Sequence, residues 1–196
     1  METYSDLQLD ALRELANIGS GTAATALSSM LGKPIDVSVP NALALTLADA
    51  VDAVGDPETI VNAVVLPTFG EIEAVVLLLF KPEAAATICG LLGVDADTEV
   101  GLSALGEVGN ILGSSYIGAF ASMTGLEIEP RPPELVTDML GAIVATVLVA
   151  NAETTDLALM LDSDLSVECE ECSFSFMLVP TADGVKELLT RLGLGG

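Results

Sequence analysis

A chain of 196 residues is long enough for one substantial domain, or for two small halves that share a core. It carries 29 acidic residues against 6 basic ones, a formal net charge of −23, and no histidine. With no basic face to neutralise phosphates, this argues against nucleic-acid binding. The longest apolar run, Met139 to Ala150, contains Gly141 and Thr146 and falls well short of the roughly 20 residues of a membrane span.

The opening Met1-Glu2-Thr3 lacks the basic-then-apolar pattern of a secretory leader, so a cytoplasmic protein is expected. Ser5-x-x-Gln8 has capping-box spacing and predicts a long helix, closed by Gly32 and Pro34. Apolar or alternating stretches at about 35–46, 59–67 and 71–80 predict strands, with a loop or short helix over Asp49–Pro57. Pro82 suits the first turn of a helix over about 82–93. Asp97 or Thr98 can cap a second long helix, with Gly125 at its end. Strands are predicted at about 126–136, 139–150, 154–162 and 167–179, then a helix at about 182–193.

The chain repeats itself at a constant offset of 93, the interval from Asn17 to Asn110. Glu14-Leu-Ala-Asn17-Ile18 matches Glu107-Val-Gly-Asn110-Ile111, and Ser29-Met30-Leu31-Gly32 matches Ser122-Met123-Thr124-Gly125. Asp10 and Ser103 precede the two glutamates by four positions, and Pro40 and Pro133 follow the asparagines by 23. The chain therefore reads as one domain of two homologous halves, about 1–93 and 94–196. Helices beside runs of strands imply an α+β fold with pseudo-two-fold symmetry, two long helices covering one face of a shared antiparallel sheet.

On the first helix Asp10, Glu14, Asn17, Gly21, Thr25 and Ser28 form a polar stripe, leaving Leu12, Leu15, Gly19, Ala23, Ala26 and Met30 for the core. On the second, Ser103, Glu107, Asn110 and Ser114 take the polar stripe, with Gly118 and Ala121 beyond. An exposed polar stripe by itself means only solvent. An acid and an amide present in both copies have no packing reason to match. A carboxamide cannot be a general base, but it donates and accepts hydrogen bonds at once and so can hold a water in line with a bond. That suffices for an already activated bond such as an acyl phosphate, where catalysis is mainly positioning. The carboxylate can anchor a cation on a partner.

The pattern Asp/Ser-x3-Glu-x2-Asn-x22-Pro resembles the signature of the CheC and CheX chemotaxis phosphatases, related to FliY, and both copies fit it. The words around Glu14 to Ser29 and Val37-Ser-Val-Pro40 also look like CheC. The resemblance implies a phosphatase acting on the phospho-aspartate of CheY, with Glu14, Asn17, Glu107 and Asn110 as its catalytic residues. Asn17 and Asn110 would orient the water, and Glu14 and Glu107 would bind a lysine of the regulator. Asp10, Pro40, Ser103 and Pro133 complete the motif. The resemblance also implies that Mg2+ arrives with CheY, that this chain binds no cofactor or metal of its own, and that CheD is a second partner. The second copy departs in detail: Leu112 stands opposite Gly19, and Tyr116, Ile117 and Phe120 are bulkier than Ala23, Ala24 and Leu27. The two sites need not be equally active.

An adaptor of the same fold, binding CheD or the flagellar switch with little catalysis, is the alternative reading. A metal-dependent hydrolase built on Glu168, Glu170 and Glu171 is disfavoured by the absence of histidine. Cys169-Glu-Glu-Cys172 has the spacing of a redox or zinc pair, but with Cys89 the chain holds only three cysteines, too few for a four-thiolate zinc site, so ordinary reduced thiols are expected. The acids are spread along the whole chain and the six bases are dispersed, a pattern of adaptation to concentrated salt rather than a patch for one basic partner. Screening then relieves self-repulsion. The melting temperature is expected to rise as KCl is taken to molar concentrations; a salt-independent melt would contradict this.

Overall fold

Ser5 begins the first helix as its spacing with Gln8 requires: its Oγ accepts from the Gln8 amide, and Gln8 Oε1 accepts from the Ser5 amide at 2.8 Å. The computed structural model describes residues 5–150, 157–167, 170–181 and 184–194. The first half runs α1 (Asp6–Leu31), β1 (Ile35–Thr46), α2 (Leu47–Val54), β2 (Ile60–Gly70), β3 (Ala74–Phe80) and α3 (Pro82–Leu91). The second runs α4 (Glu99–Thr124), β4 (Ile128–Pro130), β5 (Glu134–Met139), α5 (Leu140–Ala150), β6 (Leu157–Val167), β7 (Glu170–Pro180) and α6 (Gly184–Arg191). Thr98 caps α4, and Gly32 and Gly125 end the long helices in the left-handed conformation that glycine adopts most easily.

The strands form one antiparallel sheet in the order β1-β6-β7-β3-β2-β4, with β5 also paired to β2. Exchanging the halves reverses this order, so the pseudo-two-fold passes between β3 and β7. β1 of the first half pairs with β6 of the second, and its counterparts at the 93-residue offset, β4 and β5, pair with β2 of the first.

α1, α3, α4 and α6 cover one face, where Leu12, Leu27, Leu78, Phe80, Leu112, Tyr116 and Phe176 join one buried cluster. α2 and α5 cover the other, through Ala50, Val54, Leu140, Ile143 and Val147. Covered on both sides, β3 is buried at all seven positions and reads as a continuous apolar run.

The structure corrects three expectations, the smallest being that the strand expected at about 126–136 is two, β4 and β5, with residues 131–133 between them. Residues 139–150 do not form a strand: Leu140–Ala150 is helix α5. An apolar run without alternation suits a buried strand or a buried helix equally. Here Leu140, Ile143, Val144 and Val147 recur at helical spacing and are buried against the second face. The repeat held the clue, because Leu140 lies 93 positions after Leu47, where α2 begins. The buried arc of α1 also differs from the expected one. Ala26 and Met30 are exposed, while Ala16, Ser20 and Leu27 are buried. α1 meets both the sheet and α4, which widens and rotates the arc that faces protein.

Where α1 and α4 meet, a Cβ on Gly19 would lie 2.8 Å from the Tyr116 backbone and ring. Tyr116 is itself fully buried, edge-on to Phe176 with ring centroids 4.7 Å apart, and hydrogen-bonded to Ser163 at 3.3 Å. Gly21, two residues away, faces open space. Gly19→Ala is therefore expected to destabilise the protein by about 1–2 kcal/mol, overpacking outweighing the better helix propensity. Gly21→Ala should instead stabilise it by about 0.5–1 kcal/mol; paired urea titrations check both signs.

Burial pushes the Tyr116 hydroxyl from 10.0 up to about 12, the Ser163 hydrogen bond acting in the opposite sense. Below the unfolded value the tyrosine is neutral in both states. As pH rises from there towards about 12, only the unfolded chain releases the proton, and stability falls. The loss is expected to reach about 2–3 kcal/mol. Urea titrations at pH 8 and 11 should show this slope in the parent and a smaller one in Tyr116→Phe.

Candidate functional site

Each long helix carries one acid–amide pair one turn apart. On α1, Glu14 and Asn17 are both exposed, and neither side chain has a hydrogen bond or ion pair among the described residues. Asp10, one turn earlier, pairs with Arg13 at 3.0 Å; both side chains are well exposed, so the pair adds little stability. On α4, Ser103 and Glu107 are exposed, and Glu107 likewise has no partner among the described residues. Asn110 differs. It is half-buried, and its Oδ1 accepts a hydrogen bond from Ser114 Oγ at 3.4 Å.

The surroundings of the two asparagines differ as well. The close approach at Gly19 and Tyr116 sets α1 beside α4 and leaves an open groove of about 490 Å³ on their outer side. Asn110 and Ser114 line it together with Ile18 and Thr22 of α1. The groove follows the repeat: Ile18 and Ile111, Thr22 and Ser115, and Ala26 and Ala119 are pairs 93 apart.

The motif prolines lie not on these helices but in the outer part of the sheet, Pro40 within β1 and Pro133 between β4 and β5. The register of β1 with β6 shifts around Pro40, between Ser38 and Asn41. Proline has no amide hydrogen for a ladder and is accommodated at bulges and sheet edges. The spacing Asn-x22-Pro thus measures the run from the polar helix face to an interruption of the strand pairing that follows.

The sequence pattern does not flag Leu7 and Val100, yet they extend the two polar stripes by one turn at the N-terminal end. They are 65% and 64% exposed, and their separation is again 93. The constant offset is the signal that pairs them.

Among the described residues, no cluster of three acidic or cysteine side chains is placed to hold a metal ion. Cys89 and Cys172 are buried, and burial pushes the Cys89 thiol up, so neither is poised as a nucleophile. Glu168 and Cys169 lie outside the described residues. Among the described residues no helix is long and apolar enough to cross a membrane. Both acid–amide pairs thus stand on helix surfaces rather than in deep cavities. Such a site suits a macromolecule that presents its own reactive bond.

A model of the CheC-like family matches residues 7–43 and 100–137, which include both Glu-x-x-Asn pairs and both motif prolines. The chain is 34% identical to the CheY-P phosphatase CheC of Bacillus subtilis (strain 168) over 197 residues, 95% of this chain and 94% of that protein. It is 27% identical to the flagellar motor switch phosphatase FliY of the same organism over 142 residues, 69% of this chain and 37% of that one. Among solved structures, Thermotoga maritima FliY superposes with a TM-score of 0.77 at 21% identity, covering 100% of both chains. The fold is shared, and from the identity and coverage with CheC the chain belongs to the CheC-like family.

Proposed function

We propose that this chain hydrolyses the aspartyl phosphate of a CheY-type chemotaxis response regulator, at two sites built on α1 and α4. The observation that carries this reading is the recurrence of an acid and an amide on the solvent-facing sides of two matched helices, with Glu14, Asn17 and Glu107 unengaged among the described residues. The names of the relatives, CheY-P phosphatase and motor switch phosphatase, point to the same reaction.

Asn17 or Asn110 holds a water in line with the phosphorus through its amide. The water oxygen attacks, the acyl-phosphate P–O bond breaks, and aspartate and inorganic phosphate leave with the water's proton released to solvent. An acyl phosphate is activated enough that this positioning suffices. Glu14 or Glu107 anchors a cationic side chain of the regulator, which also brings the Mg2+ that neutralises its phosphoryl group. A CheD-type deamidase is the second partner in this reading.

The test is phosphate release from labelled CheY-P. The double variant Asn17→Ala, Asn110→Ala is expected to lose about 100-fold or more in kcat while its melting temperature stays near the parent's. Glu14→Ala with Glu107→Ala should mainly raise KM. A double asparagine variant that still binds CheY-P and retains full activity would overturn the mechanism. A parent chain that binds without accelerating release would make it an adaptor.

A further inference from the structure

We propose that Ser114 is a positioning residue for Asn110 and makes the α4 site the faster of the two, an inference that rests on the phosphatase reading. A hydroxyl inside a helix can point to solvent or donate to the backbone carbonyl one turn back. Thr22, Thr25, Ser29, Ser115 and Thr124 all do so, to Ile18, Gly21, Thr25, Ile111 and Phe120. Ser114 does not. Its hydroxyl donates to the side chain of Asn110, at 3.4 Å.

The consequence lies in a torsion. The terminal torsion of asparagine is broad and has no single staggered well. A hydrogen bond to Oδ1 selects one orientation of the amide plane, leaving Nδ2 and the second lone pair of Oδ1 for a water. The position 93 residues before Ser114 is Gly21, which has no side chain to do this. Asn17 is also exposed, whereas Asn110 is half-buried beside Ile18 and Thr22 in the groove between the helices. Partial removal from water strengthens the hydrogen bonds Asn110 makes. Asn110 is thus oriented before the regulator arrives, and Asn17 is ordered only on binding.

The two sites can be read separately, the α4 site in an Asn17→Ala background and the α1 site in an Asn110→Ala background. The isolated α4 site is expected to have the higher kcat. There Ser114→Ala should lower kcat about three-fold, the scale of freeing one side-chain torsion, with KM unchanged. Ser114→Thr keeps a hydroxyl and should retain the rate. In the α1 background Gly21→Ser should raise kcat by a similar factor. A Cβ at Gly21 meets nothing within 4 Å, so the serine enters without displacing a neighbour. The proposal is overturned if Ser114→Ala leaves kcat alone or shifts only KM, if threonine behaves as alanine does, or if Gly21→Ser has no effect on kcat. Those results with an inactive Asn17→Ala, Asn110→Ala double variant would leave the phosphatase reading standing. Full activity in that double variant would remove both.

Discussion

β1 hydrogen-bonds to β6, and β4 and β5 to β2, so each half of the repeat lends its outer strand segments to the other half's strands. Neither half can satisfy its own ladder, and unpaired backbone amides and carbonyls in a buried sheet are costly. The pseudo-two-fold is therefore enforced by hydrogen bonding as well as by packing. β3 and β7 complete the arrangement by pairing across the axis, from Ala74 with Pro180 to Leu79 with Ser175. Everything on the helical face inherits its placement from this exchange.

α1 and α4 are brought side by side by the same symmetry, yet their contact is made by unlike residues. Gly19 opposes Tyr116; the matching positions at an offset of 93 are Leu112 and Ala23. Bulk moved from one helix to the other allows two copies to diverge while their axes stay close. The same divergence reached the polar faces, where Gly21 and Ser114 occupy matched positions with different chemistry. A duplicated site need not stay a pair of equal sites, because each copy's surroundings include the other copy.

The surface chemistry is consistent with a protein partner that supplies cations. With 6 basic residues against 29 acidic ones, this chain has few positive charges of its own, and Arg13 and Arg191 are already paired with neighbouring acids. Glu14 and Glu107 are left facing solvent. A net charge of this size attracts a cationic partner to the molecule as a whole at low salt and does so weakly once the field is screened. In concentrated salt, short contacts at the glutamates rather than long-range attraction would select the partner.

Much of this is legible in the amino-acid sequence. The capping box at Ser5, the glycines at the helix ends, the repeat and both Glu-x-x-Asn pairs are local features, since caps and helical faces depend on residues within one or two turns. Three features are not legible there. The helix at Leu140–Ala150 reads equally well as a strand, and only burial against the second face of the sheet decides it. The exposure of Ala26 and Met30 follows from α1 meeting the sheet and α4 together. The contrast between exposed Asn17 and half-buried Asn110, which lines the groove between α1 and α4, is visible only in the folded chain. The sequence alone determined which residues could act and that there are two sets of them. The tertiary structure decided how each set is held, because burial and side-chain partners come from segments far apart in the chain.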